Sequence, residues 1–315
     1  MTDIAVSSAQ LDQRRTLSGI GYALAGFSIF SLQDATVKWL AASLPIWEIL
    51  FFRSILIVVL VTMITGPQNL KAIAVGPNRM ALLGRSLLIL LAWLAYFTAS
   101  RSLHLAELVT LYFSAPVFVV ILSVFILREQ VTAMRWTGTA LGFVGVVIAA
   151  NPRLDMNITP VALTLFAAAA WALTNVLVRL ISRTETTLNL MVASSALFIV
   201  VCGAVLPFIW VTPDLFSISL IVGLGVIGGI GQYLLFEGYR LAPASAVAPF
   251  EYVTLVWAFG WGFLIWGDWP APAVFLGAGI ILASGLTMIY VENRALKRLA
   301  RDDEKSERFS PEIPL

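Results

Sequence analysis

FTASRSLHLAELVTLYFSAPVFVVILSVFILREQVTAMRWTG, residues 97–138, can be laid over FEGYRLAPASAVAPFEYVTLVWAFGWGFLIWGDWPAPAVFLG, residues 236–277, at a constant offset of 139 residues. In that register Phe97 meets Phe236, Arg101 meets Arg240, Ala106 meets Ser245, Glu129 meets Asp268 and Gly138 meets Gly277. An earlier stretch repeats at an offset of 141, where Asp34 meets Asn175 and Lys38 meets Arg179. The chain reads as one five-helix unit written twice. A unit with an odd number of spans must point its second copy the opposite way across a membrane. Inverted repeats around a midplane site are the build of many secondary transporters.

Composition puts the chain in lipid. Its 315 residues are 59% hydrophobic and 12% charged, with mean hydropathy +0.91. A soluble protein carries about twice that charged fraction. In a bilayer only helices and closed barrels satisfy every backbone polar group, and apolar runs of about 20 residues without alternation select helices. Cys202 is the single cysteine and His104 the single histidine, so neither an internal disulfide nor a His/Cys metal cluster is expected. No cofactor is expected. The polar first 16 residues lack the pattern of a cleavable signal peptide.

Window length predicts ten spans, at 17–37, 46–65, 80–100, 106–127, 134–150, 160–180, 188–210, 217–237, 244–266 and 272–291. These divide the chain into an N-terminal tail (1–16), two repeats (17–150 and 151–291) and a charged C-terminal tail (292–315) with too little apolar area to fold alone. Ten spans put both ends on one side. Fifteen of the 20 basic residues then fall on that side and three (Lys38, Arg101, Arg153) on the other, with Arg53 and Arg85 inside spans. The positive-inside rule makes both ends cytoplasmic, in a bacterial-type inner membrane.

Ionisable and amide side chains inside the spans are the candidates for function, because lipid penalises them unless they face a cavity or a partner. They are Gln33, Asp34, Glu48, Arg53, Arg85, Asn175, Gln232 and Glu251. Asp34 lies about 5 Å and Arg53 about 10 Å below the outer surface. Those depths allow an Asp34–Arg53 pair, with Glu48 as the competing acid. Arg85 sits in the inner half, where Glu251 is nearest in depth. The competing reading is that such pairs only hold helices together.

Arg85, Ile89, Trp93, Tyr96 and Ser100 form a stripe on one helix face, as do Trp171, Thr174, Asn175 and Val178. Such stripes serve packing or line a cavity. The glycines from Gly223 to Gly231 predict close helix contact, with Gln232 and Tyr233 following on a less crowded face. Pro116 and Pro249 predict bends inside spans four and nine. Pro249 precedes Glu251 and Tyr252, the strongest single-site signal in the chain.

The segments SRSLHLAELVTLYFSAPVFVVILSVFILREQVTAMRWTGTALGFVGVVI (100–148) and GYRLAPASAVAPFEYVTLVWAFGWGFLIWGDWPAPAVFLGAGIILASGL (238–286) resemble the two copies of the EamA repeat of the drug/metabolite transporter superfamily. FFRSIL with Arg53 and GRSLLILLAWLAYFTAS with Arg85 resemble family patterns as well. The resemblance covers residues 17–291 and departs at Asp268, where Glu is usual. It implies an all-α integral membrane fold of ten helices, arranged as two inverted five-helix repeats around a central cavity. Members export amino acids and other metabolites, and a neighbouring branch takes up nucleotide-sugar or cofactor-like molecules.

The leading expectation is a secondary transporter similar to the bacterial aromatic amino-acid exporters. Substrate would meet the aromatic walls Trp93, Tyr96, Tyr112, Trp171, Tyr252 and Trp257, which suit apolar groups or an ammonium. The amides Gln33, Asn175 and Gln232 and the acid Glu251 would hold its polar groups, while Asp34, Glu48, Arg53 and Arg85 serve as structural or coupling charges. The alternative is uptake or exchange of a nucleoside-like or S-adenosylmethionine-like metabolite stacked on the same walls; a channel is a further one. An enzyme is disfavoured, since no nucleophile or metal constellation appears. The expected partners are a small molecule and membrane lipid, with no nucleic acid.

Overall fold

The computed structural model describes residues 8–66, 78–100, 102, 105–150, 158–267, 269 and 272–309. Lys71, Arg101, His104, Arg153 and Asp268, with the outermost residues of both tails, lie outside the described residues.

The described residues are helical, and the helices fall where the apolar windows predict. In chain order they are α1 (Ser8–Leu40), α2 (Ile46–Thr65), α3 (Arg79–Ser100), α4 (Leu105–Tyr112), α5 (Ala115–Leu127), α6 (Ala133–Ala150), α7 (Ile158–Ile181), α8 (Thr187–Ile209), α9 (Leu215–Leu241), α10 (Ala244–Val247), α11 (Val253–Trp266) and α12 (Pro272–Phe309). Eight stretches are long and apolar enough to cross a membrane, counting Leu108–Leu127 and Ala244–Trp266 as one each. α1 and α6 do not meet that measure. In α1 serines, glycines and Asp34 dilute the apolar run, and the apolar part of α6, Ala133–Ala149, is short. The molecule is a multi-pass membrane protein.

Helix ends follow local chemistry. Thr186 caps α8 by accepting from the Asn189 N–H at 3.2 Å, and Asp214 caps α9 by accepting from the Ser217 N–H at 2.8 Å. Those bonds to Ser217 hold the Asp214 carboxyl below the usual carboxylate range. α2 stops at Gly66 and α11 at Gly267, both with positive φ. α12 runs past the last predicted span, to Phe309. The sequence 292–309 is rich in Glu, Lys, Arg, Ala and Leu, which favour helix even where no apolar face is available.

α4 ends at Tyr112 and α5 begins at Ala115 with Pro116 in its first turn. α10 passes into a 3-10 turn, Ala248–Tyr252, that contains Pro249 before α11 begins. Proline lacks the N–H that would continue the ladder, so both expected breaks form. At the two breaks Phe113 and Tyr252 face each other with ring centroids 6.1 Å apart. These two positions are related by the 139-residue offset of the repeat.

α1 packs on α9, α3 on α7, α2 on α8 and α6 on α12, while α11 lies against α1 and α5 against α7. The α1–α9 contact is backbone to backbone. A methyl on Gly26 would lie 2.8 Å from the Leu235 nitrogen and 3.0 Å from the Gly231 carbonyl oxygen. Small residues permit such approach in lipid, where apolar attraction between helices is weak. Gly142 on α6 likewise leaves the space that the Tyr252 ring fills.

Candidate functional site

Arg53 on α2 is nearly fully buried and ties three helices. Its Nε donates to Gln33 Oε1 on α1 at 3.0 Å, and its Nη2 donates to Gln232 Oε1 on α9 at 3.3 Å. Gly228 makes room, since a Cβ there would meet Gln33 Oε1 at 2.5 Å and Arg53 Nε at 2.8 Å. This corrects the expected Asp34–Arg53 pair. Successive helix residues are turned by roughly 100°, so with Gln33 aimed at Arg53, Asp34 cannot also lie on that line. Asp34 makes no ion pair among the described residues, although it feels the Arg53 charge.

Asp34 is exposed, yet its electrostatic neighbours come from the interior: Arg53 on α2, Tyr96 on α3 and Tyr112 at the end of α4. The Tyr96 and Tyr112 rings meet edge-on at 4.9 Å. Trp93, one turn below Tyr96, packs edge-on against Phe198 at 6.1 Å. The predicted stripe on α3 does face inward: Arg85 and Ile89 are buried and Trp93 and Tyr96 half-buried. Leu83, Leu87 and Leu91 are exposed on the opposite side.

α11 presents two tryptophans to α1. Trp257 is 42% exposed and donates from Nε1 to Ser28 Oγ at 2.9 Å. Trp261 donates to Ser31 Oγ at 3.1 Å and stacks on Trp257 with centroids 6.1 Å apart. The sequence reading named Trp257 and missed Trp261, Ser28 and Ser31. Their signal was the matched spacing, i,i+4 for the tryptophans and i,i+3 for the serines, which places each pair on one helix face.

Glu251 lies in the turn between α10 and α11 and is 5% exposed. Its Oε1 accepts from Trp171 Nε1 at 2.7 Å, and its Oε2 has no protein partner. Asn175, one turn beyond Trp171 on α7, is fully buried with neither amide atom partnered. The buried hydroxyls of Tyr239 and Tyr252 are unpartnered too, and both, with Tyr112, feel the Glu251 charge. Buried polar atoms are nearly always paired, so such a cluster is a functional signal. Tyr252 is completely buried against Gly142 and Phe113, so its ring is packing rather than open wall.

Two further expectations are corrected. Arg85 does not meet Glu251. Its Nη1 donates to Ser194 Oγ at 2.9 Å, its Nε donates to the Thr174 carbonyl at 3.3 Å, and its Cζ lies 4.5 Å from the Phe236 ring centroid. Dipoles and a ring face hold this cation in place of an acid. Glu48 is fully buried in the first turn of α2 and accepts from the Val211 N–H at 3.2 Å. It pins a loop to a helix N-terminus, where a negative charge is favoured, and does not compete for Arg53.

A polar network links helix ends at the far end of the bundle. Gln13 on α1 donates to Glu292 Oε2 at 2.7 Å, and Arg135 on α6 pairs with Glu292 at 3.0 Å. Arg135 also reaches Ser245 Oγ at 3.3 Å. Glu129, after α5, accepts from the Ala244 N–H at 2.8 Å and from Ser245 N–H and Oγ–H at 3.1 and 2.6 Å. It caps α10, so Glu129→Ala is expected to lower unfolding stability by about 2 kcal/mol, read as a lower melting temperature of the purified protein. At the same end Glu237 holds Arg240 at 2.5 Å and accepts from Thr187 Oγ1.

A family model described as "EamA-like transporter family" matches the chain twice, over residues 17–151 and 158–290. The chain belongs to the EamA-like transporter family. It is thus a transporter by family, as the resemblance implied. An S-adenosylmethionine uptake transporter of Rickettsia bellii is 27% identical over 291 residues, 91% of this chain and 99% of that protein. Its Rickettsia conorii counterpart is 26% identical, covering 90% and 96%. The pseudopaline exporter CntI of Pseudomonas aeruginosa is 25% identical, covering 86% and 95%. One solved crystal structure aligns with a TM-score of 0.70 at 18% identity, over 90% of this chain and 98% of that one, and shares the fold. These relatives are named for S-adenosylmethionine uptake and pseudopaline export, not for amino-acid export.

Proposed function

We propose that this EamA-family transporter carries an S-adenosylmethionine-like metabolite across the bacterial inner membrane by alternating access. The observation that carries the substrate class is the near full-length similarity to S-adenosylmethionine uptake transporters. The interior chemistry supports it: the rings of Trp93, Tyr96, Tyr112 and Trp257 suit stacking of an adenine-like group, and the Gln33 and Gln232 amides lie together on Arg53.

In this reading the chain crosses ten times, with α4–α5 and α10–α11 each forming one broken span. Its two halves, 17–150 and 151–291, are inverted repeats. The packing supports that, because exchanging each span with the one five places later turns the α1–α9 contact into α3–α7 and the α1–α11 contact into α5–α7. It leaves α2–α8 and α6–α12 unchanged. Both termini are cytoplasmic by the distribution of basic residues. The network of Gln13, Glu129, Arg135 and Glu292 then closes the cytoplasmic end, while Asp34 and Trp257 stay open toward the other side. Transport rocks one repeat against the other.

Counterflow in proteoliposomes tests the function. Vesicles loaded with unlabelled S-adenosylmethionine are expected to accumulate the labelled compound saturably, with no competition from phenylalanine or threonine. Accumulation of labelled phenylalanine and none of S-adenosylmethionine would restore the amino-acid exporter reading.

A further inference from the structure

Resting on the reading of the chain as two inverted repeats, we propose that the inner gate of this carrier consists of two contacts, α1 on α12 and α10 on α6, which part around an α6–α12 pair that stays together. Two halves of like fold and opposite orientation reach the second state of a transport cycle by exchanging their arrangements. A contact that the exchange leaves unchanged can persist in both states. A contact whose exchanged counterpart is missing must open as that counterpart forms.

The helix packing sorts the contacts on this basis. α1 packs on α12, whereas the exchanged pair, α7 and α6, has no comparable packing among the described residues. The turn Ala248–Tyr252 packs on α6, whereas α12 has no comparable packing on α4 or α5 among the described residues. The α6–α12 contact exchanges into itself and is close: a methyl on Gly145 would lie 2.9 Å from the Gly277 carbonyl oxygen, and Ser284 Oγ donates to the Gly138 carbonyl at 2.9 Å. Such backbone approach suits an axis that does not open.

The polar network falls on the same division. Gln13 on α1 donates to both the carboxylate and the backbone carbonyl of Glu292 on α12, at 2.7 and 3.0 Å. Ser245 on α10 donates to Glu129 at 2.6 Å and accepts from Arg135 on α6 at 3.3 Å. These links cross the two contacts that lack a counterpart. The Arg135–Glu292 ion pair, at 3.0 Å, joins the two helices of the axis. Gln13 and Ser245 are therefore the latch, and Arg135 with Glu292 is the post that both fasten to. Hydrogen bonds of this kind are worth about 1 kcal/mol each, enough to hold a gate and weak enough to let it open.

Distances between pairs of spin labels, measured by pulsed electron–electron resonance on the purified full chain in detergent, test this. Leu11→Cys with Tyr290→Cys spans the gate, and Thr137→Cys with Tyr290→Cys spans the axis; all three positions are exposed. The native Cys202 is buried, so the introduced thiols take the labels. Gln13→Ala with Ser245→Ala removes the latch and leaves the ion pair and the backbone cap on α10 in place. The gate pair is then expected to gain a second, longer distance, its share relative to the short one rising about tenfold, while the axis pair keeps a single distance. Lengthening of both pairs alike, or of neither, overturns the assignment. No substrate enters this measurement, so its failure leaves the counterflow test of the carrier reading standing, and a failed counterflow leaves the gate standing.

Discussion

Gly26→Ala is expected to destabilise the protein by about 3 kcal/mol, the upper range for overpacking a close contact. The new methyl would lie 2.8 Å from the Leu235 nitrogen, 3.0 Å from the Gly231 oxygen and 3.1 Å from the Leu235 Cα. All three are backbone atoms of α9, so no rotamer change relieves the clash and the helices must separate. Separation also pulls on the Gln33–Arg53–Gln232 tie, which spans the same two helices and α2. Gly223→Ala is the control: nothing lies within 4 Å of its Cβ position, and helix propensity makes it neutral or stabilising by up to about 1 kcal/mol. Thermal melting of both variants in one detergent decides the matter. Equal melting temperatures would mean that α1 and α9 do not approach as closely as described.

Glu251→Gln is expected to cut transport more than tenfold while leaving the protein folded. The glutamine carbonyl can keep the 2.7 Å bond from Trp171, so the fold loses little. What is lost is the charge and the free carboxylate oxygen among the unpartnered atoms of Asn175, Tyr239 and Tyr252. The glutamine NH2 adds a donor where acceptor capacity was available. The expectation is that Glu251 takes part in transport, as a buried acid with one unpartnered oxygen. Glu129 is unsuitable as a control because it caps α10. Asp214→Asn is the better control, since asparagine caps a helix as well as aspartate does. Counterflow rates at matched reconstitution are the measurement. A Glu251→Gln rate equal to wild type would reduce Glu251 to an anchor for Trp171.

Which polar residues would lie inside the bundle was more legible than what they would touch. The ionisable and amide residues stood out in the sequence because lipid penalises each of them one at a time. Most do lie in the interior: Gln33, Arg53, Arg85, Asn175, Gln232 and Glu251 are all buried. Their partners were not legible. Depth along a helix follows from counting residues, and it correctly put Asp34 and Arg53 in the same half. Direction around the helix depends on which neighbour packs where, and that gave Arg53 to the amides of Gln33 and Gln232. Arg85 and Glu251 were matched on depth as well, yet Phe236, Ser194 and Thr174 take one and Trp171 the other. A sequence search for a compensating acid misses a cation solvated by dipoles and a ring.

The sequence by itself determined that the chain is helical and lipid-embedded, where its helices run and where the fourth and ninth predicted spans break. Those are local consequences of apolar length, proline and the need to satisfy every backbone group in lipid. Only the tertiary structure decided that α1 meets α9 through bare backbone at Gly26, and that Phe113 and Tyr252 meet where the two breaks come together. It also decided that Arg53 and Arg85 are held by amides, a hydroxyl, a carbonyl and a ring face in place of acids. The reason is physical: in lipid, packing and a few hydrogen bonds choose each helix's neighbours, and those depend on the surfaces of residues more than a hundred positions away.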